Sequence, residues 1–248
     1  MKIALLSDIH SNLEAFEQVL DSLKEEKVQH YVFLGDLVGY GASPKACIQL
    51  LQELIRDTGC RCIAGNHDYA VCGLTPFDTY ATHARESITW TKDQLNEPEM
   101  EFLRKLPLVQ DIDLGSVHFT IAHANLSCPE EWGYIWDIDD ADLSFQMLQN
   151  QICFIGHSHK PIVFTSGDIV DWFILDEIRI ADGVKYLINV GSVGQPRDGN
   201  PKASYAVYDT DKKMVRIQRV DYDVKKAQSK IIHAGLPRML ADRLAMGK

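Results

Sequence analysis

Asp8-Ile9-His10 sets a carboxylate and an imidazole two residues apart, directly after the apolar run Ile3 to Leu6. At a strand end, residues i and i+2 point the same way, so these two side chains could share one ion. Four more stretches use the same vocabulary: Gly35-Asp36, Gly65-Asn66-His67-Asp68, His123, and Gly156-His157-Ser158-His159. Each follows a short apolar run that reads as a buried strand, and strand ends are where α/β proteins place their ligands. Carboxylate, imidazole and amide oxygen without thiolate suit Mn, Fe, Zn or Ni better than a structural zinc site, which would recruit cysteine. A histidine taken singly is more often a hydrogen-bonded structural residue than a ligand. Ordered recurrence at strand after strand reverses that expectation.

The elements that must position these residues come in two kinds. Up to Gly65 the chain alternates strand and helix. Asn12 is placed to cap a helix carrying Leu13, Phe16, Leu20 and Leu23 through Lys24; Ser43 caps and Pro44 opens a second, which stops near Gly59. The strands between them, Tyr31 to Asp36 and Cys60 to Ala64, imply right-handed parallel crossovers and a layered α/β sheet. Gly35, Gly39 and Gly41 around Asp36 let the backbone turn tightly and approach a ligand. From Ala70 to Leu106 the strand pattern lapses, and Phe77 to Leu95 and Pro98 to Leu106 read as a helical insertion. It could form a wall of a substrate pocket or merely cover a sheet edge. Later residues give a hairpin around Gly115-Ser116, a helix from Asp140 to Asn150, and mostly antiparallel strands, Asp171 to Ile180 among them. Two helices broken at Gly235 to Pro237 fill residues 224–246.

Length and composition favour one domain spanning 1–248. A net charge of -10 disfavours a surface that coats duplex nucleic acid and makes a small phosphorylated molecule, nucleotides included, the better partner. The cysteines, Cys47, Cys60, Cys62, Cys72, Cys128 and Cys153, form no Cys-x-x-Cys pair and read as buried free thiols. With neither a signal-peptide pattern nor a membrane-length apolar run, the expected location is the cytoplasm. Oligomeric state leaves no mark in the sequence.

The five stretches, in their order, resemble the motifs of the calcineurin-like metallophosphoesterase superfamily, most closely its small prokaryotic phosphodiesterase branch, from residue 8 to residue 159. That resemblance implies a four-layer αββα sandwich with two mixed β-sheets and two divalent metal ions at the strand ends. It gives one ion to Asp8, His10, Asp36 and His159, and the other to Asp36, Asn66, His123 and His157. It makes His67 the acid facing the leaving group and adds Asn66 to the substrate's contacts. The implied activity is hydrolysis of phosphodiesters or phosphomonoesters, with two ions about 3.5–4 Å apart clamping the phosphate and supplying the attacking hydroxide. The alternative is a metal-binding interaction scaffold on the same fold, for which a leaving-group acid would have no use.

Departures narrow the reading. Gly39-Tyr40 stands where protein serine/threonine phosphatases of the superfamily carry an Asp-Arg pair, which disfavours a protein phosphatase. Ser11-Asn12 and Ala124 replace glycines common after those histidines. Gly191 to Asp198 resembles a segment of the smaller relatives, and its Arg197 could hold a substrate phosphate or join a surface ion pair. Asp68 could orient His67 or cap the next turn. Trp132, Tyr134 and Trp136 could stack on a nucleobase or pack under a loop. His30, His83, His118 and His233 lack strand-end placement and are assigned structural or solvent-facing roles, and the cluster from Asp137 to Asp142 reads as a solvated helix start.

Overall fold

Short strands that are apolar on both faces need cover on both sides, and this requirement sets the architecture. In the computed structural model, which describes residues 1–248, strand β1 (Lys2–Leu6) turns Ile3 and Leu5 into one core and Ala4 and Leu6 into another. Helix α1 (Leu13–Glu26) leads to β2 (His30–Phe33), and α2 (Pro44–Thr58) to β3 (Arg61–Cys62). These three strands are parallel, as the alternation of strand and helix requires.

Three helices follow, α3 (Asn66–Cys72), α4 (Thr82–Gln94) and α5 (Glu97–Arg104). The hairpin β4 (Val109–Asp113) and β5 (His118–Ala122) precedes α6 (Ile138–Met147) and β6 (Ile152–Ile155). Then come β7 (Ile162–Ser166), β8 (Val170–Phe173), β9 (Glu177–Arg179), β10 (Lys185–Asn189), β11 (Ala203–Asp209) and β12 (Met214–Val220). Helices α7 (Val224–His233) and α8 (Arg238–Met246) end the chain.

The strands form two six-stranded mixed sheets, ordered β3-β2-β1-β11-β12-β9 and β4-β5-β6-β10-β7-β8. Between them lies a core of Ile3, Leu5 and Tyr208 from the first sheet against Phe119, Phe154 and Ile188 from the second. The opposite faces of the same strands meet helices. Leu6, Phe33 and Val207 pack on Phe16 and Val19 of α1 and Ile48 of α2, while Ile155 and Leu187 pack on Ala141 and Phe145 of α6. Each fully buried Leu, Ile or Phe contributes about 1.5–3 kcal/mol. Helix, sheet, sheet, helix is the four-layer order the resemblance implies.

Local differences from expectation have physical causes. Asp171 to Ile180 is not one strand: β8 pairs with β7 in the second sheet and β9 with β12 in the first, because the chain crosses from one sheet edge to the other between them. Helix α4 begins at Thr82 rather than Phe77, since Phe77 to Tyr80 closes a separate turn through Tyr80 N–H and Phe77 O at 3.0 Å. Asn12 caps α1 by accepting from Ala15 N–H at 3.2 Å. Ser43 stands at the N-cap of α2 without a side-chain cap bond; its Oγ accepts from Lys230 Nζ at 3.3 Å instead. Cys128 is exposed, unlike the other cysteines, because it lies on the loop after β5.

Candidate active site

The candidate residues gather where strands leave both sheets. Asp8 follows β1, Asp36 follows β2, Asn66 opens α3 after β3, His123 follows β5, and His157 and His159 follow β6. The backbone there is strained: Asp8, His10, Asp36, His157 and His159 have φ of 54°, 48°, 57°, 67° and 59°. A left-handed non-glycine residue costs on the order of 1–3 kcal/mol and persists only where its surroundings hold it.

Hydrogen bonds supply that hold. His157 N–H donates to Asp8 Oδ2 at 3.1 Å, and His67 N–H donates to Asp36 Oδ1 at 2.8 Å. Each carboxylate is thereby fixed through one oxygen and turns the other toward the imidazoles. Asp8 Oδ1 lies 3.2 Å from His159 Nε2, and Asp36 Oδ2 lies 3.3 Å from His123 Nε2 and 3.5 Å from His10 Nε2. Three imidazoles are oriented from behind: the Nδ1 atoms of His10, His123 and His159 lie 3.1, 2.8 and 2.6 Å from the carbonyl oxygens of Val38, Leu34 and Gln195. Nδ1–H donation to those carbonyls aims Nε2 inward, the usual arrangement behind a metal-binding histidine. Gly65 is required by space, since a Cβ there would overlap the carboxylate and amide of Asp36.

Two groups result. Asp8, His10, Asp36 and His159 form one, and Asp36, His123 and His157 the other; within each, the candidate ligand atoms lie within 4.8 Å of one another. The carboxylate of Asp36 is common to both. Asp8 Oδ1, Asn66 Oδ1, His123 Nε2 and His157 Nε2 are buried with no aligned hydrogen-bond partner. Four such atoms at one place are costly, and a cation coordinating them removes the cost. Asn66 is oriented by its own amide, whose Nδ2 donates to the Tyr80 hydroxyl at 3.1 Å. The donor set fits divalent metal.

The electrostatics agree. Burial alone would push Asp8 and Asp36 up, but His159 and His123 beside Asp8, and His123 and His67 beside Asp36, hold both well below the usual carboxylate range. Burial also works against a charged His123, yet Asp36 and Asp8 outweigh it and hold that imidazole at about 9. Burial, then the charge of His123, depresses His157 to about 3, and burial depresses His67 to about 4. His10 and His159 are lowered by burial too. In the metal-free protein His123 therefore carries the compensating positive charge.

Of the two roles open to Asp68, the structure shows the cap. Its carboxylate accepts from Val38 N–H at 3.1 Å and Gly65 N–H at 2.9 Å, and burial holds it up at about 7. Arg197 lies in the cleft rather than in a surface ion pair: its guanidinium donates to Gln195 Oε1 at 3.0 Å and stands 5.6 Å above the Tyr40 ring.

A cleft of about 630 Å³ opens over the cluster, a size suited to a small molecule. Thr75, Pro76, Thr79, Tyr80, Ala81 and Ala84 line one side, so the segment after α3 is a wall of the cleft and not only a cover for the sheet. Tyr40, His83 and Arg243 line the cleft although the sequence assigns them no part in the site. Tyr40, with φ of 57°, packs on His10 and His67 at ring-centroid distances of 4.6 and 4.4 Å. Its signals in the sequence were its place between Gly39 and Gly41 and the Asp-Arg pair that protein phosphatases carry at those positions. Tyr134 stacks on His157 at 4.0 Å, so it touches the site instead of only packing under its loop. His83, assigned a structural or solvent-facing role, lines the cleft, as does Arg243 of α8.

Two six-stranded sheets flanked by helices, with Asp, Asn and His side chains collected at the strand ends, define an α/β sandwich metallohydrolase. The sequence matches the calcineurin-like phosphoesterase superfamily domain over residues 1–213. It is 41% identical over 249 residues to an uncharacterised protein of Methanocaldococcus jannaschii, covering 99% of this chain and 98% of that one. It is 26% identical over 217 residues to phosphodiesterase YfcE of Escherichia coli, covering 85% of this chain and 89% of YfcE. Its structure superposes on a metallophosphoesterase from Sphaerobacter thermophilus with a TM-score of 0.84 at 35% identity, over 100% and 99% of the two chains. The chain thus belongs to the calcineurin-like phosphoesterase superfamily and is a metal-dependent hydrolase of phosphoric esters. No helix is long and apolar enough to cross a membrane.

Proposed function

We propose that this enzyme hydrolyses phosphodiesters or phosphomonoesters of small molecules, nucleotides among them, at a centre of two divalent cations. The observation that carries this reading is the convergence of two ligand groups on the shared Asp36 carboxylate, with unpartnered buried ligand atoms from both sheets. Asp8, His10, Asp36 and His159 would hold one cation, and Asp36, Asn66, His123 and His157 the other. When bound, such a pair neutralises phosphoryl charge and acidifies water.

The chain's own groups do the rest. His67 lines the cleft, and its N–H fixes Asp36, so the imidazole is held at a constant offset from the shared carboxylate. An anionic phosphate beside this imidazole favours its protonated form, and Nε2 then donates a proton to the departing oxygen. Tyr40 packs against the His67 ring and limits its motion. Arg197 and Asn66, both in the cleft wall, orient the non-bridging phosphate oxygens. The Tyr134 ring over His157 shields that side of the site from water.

The test is hydrolysis of a chromogenic phosphodiester and a monoester with added manganese, alongside metal content, in the wild type and in Asp36→Asn and His67→Ala. Asp36→Asn should lower both bound metal and activity, the latter by at least about 100-fold. His67→Ala should keep its metal and lose about 100- to 10,000-fold in kcat. Unchanged activity in Asp36→Asn would overturn the mechanism.

A further inference from the structure

Two arginines face the cleft without a carboxylate. Arg197 donates to a neutral acceptor, Gln195 Oε1. On α8, Arg238 pairs with Asp242 at 3.7 Å, but Arg243 has no such partner and its side chain lines the cleft instead. The two share one locality. Burial and then the charge of Arg197 lower Arg243 from the ordinary guanidinium range, and burial, Arg243 and Arg197 lower His83. Tyr40 links them to the reacting centre: Arg197 sits over its ring, His83 stacks on it at 6.2 Å, and its other neighbours are His10 and His67. The acidic groups nearby are Asp36, which faces the imidazoles, Glu130 and Glu131 in the cleft lining, and Glu86 on α4, whose charge reaches His83; none pairs with either arginine.

Half-buried like charges without a counter-ion repel each other and favour an anion that arrives with the ligand. The cation site already accounts for one phosphoryl group. We infer that Arg243, together with Arg197, binds a second phosphate of the substrate, so that the preferred substrates are small molecules carrying two phosphate groups, one of which is cleaved. This assignment rests on the phosphoesterase reading above. A guanidinium suits the role because its planar fork meets a phosphate through two parallel hydrogen bonds. Helix α8 lies beyond residues 1–213, the part matched to the superfamily domain, so this end of the cleft is built from chain outside that match.

The experiment compares matched pairs, fructose 1,6-bisphosphate with fructose 6-phosphate and adenosine 3′,5′-bisphosphate with 5′-AMP, as competitive inhibitors of chromogenic diester hydrolysis by the metal-loaded enzyme. The same pairs are compared as ligands that raise its melting temperature. In the wild type the two-phosphate member of at least one pair should bind at least tenfold more tightly. Arg243→Ala should shrink that gap to under threefold, and Arg243→Lys should restore part of it. Equal affinity within both pairs in the wild type, or an undiminished gap in Arg243→Ala, would overturn the assignment. Absence of hydrolysis of both the chromogenic diester and the monoester would overturn the phosphoesterase mechanism instead, while the melting-temperature comparison would still decide whether a second phosphate is recognised.

Discussion

Asp36→Asn in the metal-free protein isolates the pairing of Asp36 with His123. The substitution is nearly isosteric: Asn Oδ1 can still accept from His67 N–H, where Asp36 Oδ1 does so at 2.8 Å, and the amide nitrogen then faces His123 Nε2. What disappears is the charge. His123 is held at about 9, above its ordinary 6.5, against burial and chiefly by Asp36 and then Asp8. A histidine raised in the folded state contributes stability that is complete below 6.5 and is lost as pH rises through 9. The whole interval corresponds to about 3 kcal/mol, of which about 2 kcal/mol falls between pH 7.5 and 9.5. For a chain of this size that is a loss of roughly 4–8 °C in Tm. Calorimetry of chelator-dialysed wild type should show this decline. Asp36→Asn should show a distinctly shallower one, not a flat line, because Asp8 remains 3.9 Å from His123 Nε2. Parallel profiles for the two proteins would refute the assignment of the raised pKa to Asp36.

Other consequences are open to measurement. Returning manganese to the metal-free enzyme at 100 times its Kd should add about 2.7 kcal/mol, or roughly 5–11 °C in Tm, and a null shift would argue against a resident cation. Near pH 7.5 that loading should release about one proton, supplied by His123, which calorimetric titration in buffers of different ionisation enthalpy detects. Gly65→Ala forces a methyl onto the Asp36 carboxylate and should cost about 1–3 kcal/mol, with metal content falling more than helix content. Asp68→Asn leaves one of the Val38 and Gly65 N–H groups without an acceptor; a loss of about 1–3 kcal/mol in denaturant unfolding is expected, and no loss would deny it the capping role.

The fold was legible where physical signals are local. Ile3 to Leu6 and Gln151 to Ile155 read as strands, and the apolar residues of both alternate between two cores. Asn12 was readable as a cap because its partner is three residues away. The strand-end Asp, Asn and His residues were legible as a set because their chemistry is unusual at apolar strand ends, and the structure brings them to one place. The legible part stops where a contact depends on distant chain. The division of β8 from β9 depends on partners, β7 and β12, that a run of apolar residues cannot specify. Arg243 reaches the cleft only because α7 and α8 pack beside α4, with Ile231 and Leu240 in one cluster with Ala84. His83 reaches the cleft for the same reason: a helix places it there, which no strand-end pattern can signal. The role of Asp68 turns on Val38 N–H, 30 residues away, which no local pattern reveals.

Because Asp8 and Asp36 leave one sheet while His123, His157 and His159 leave the other, no early stretch of the polypeptide holds a finished set of donors. A nascent chain emerging from the ribosome exposes Asp8, His10 and Asp36 long before His157 and His159 exist to join them. A complete donor set therefore waits until both halves of the sandwich have closed on each other.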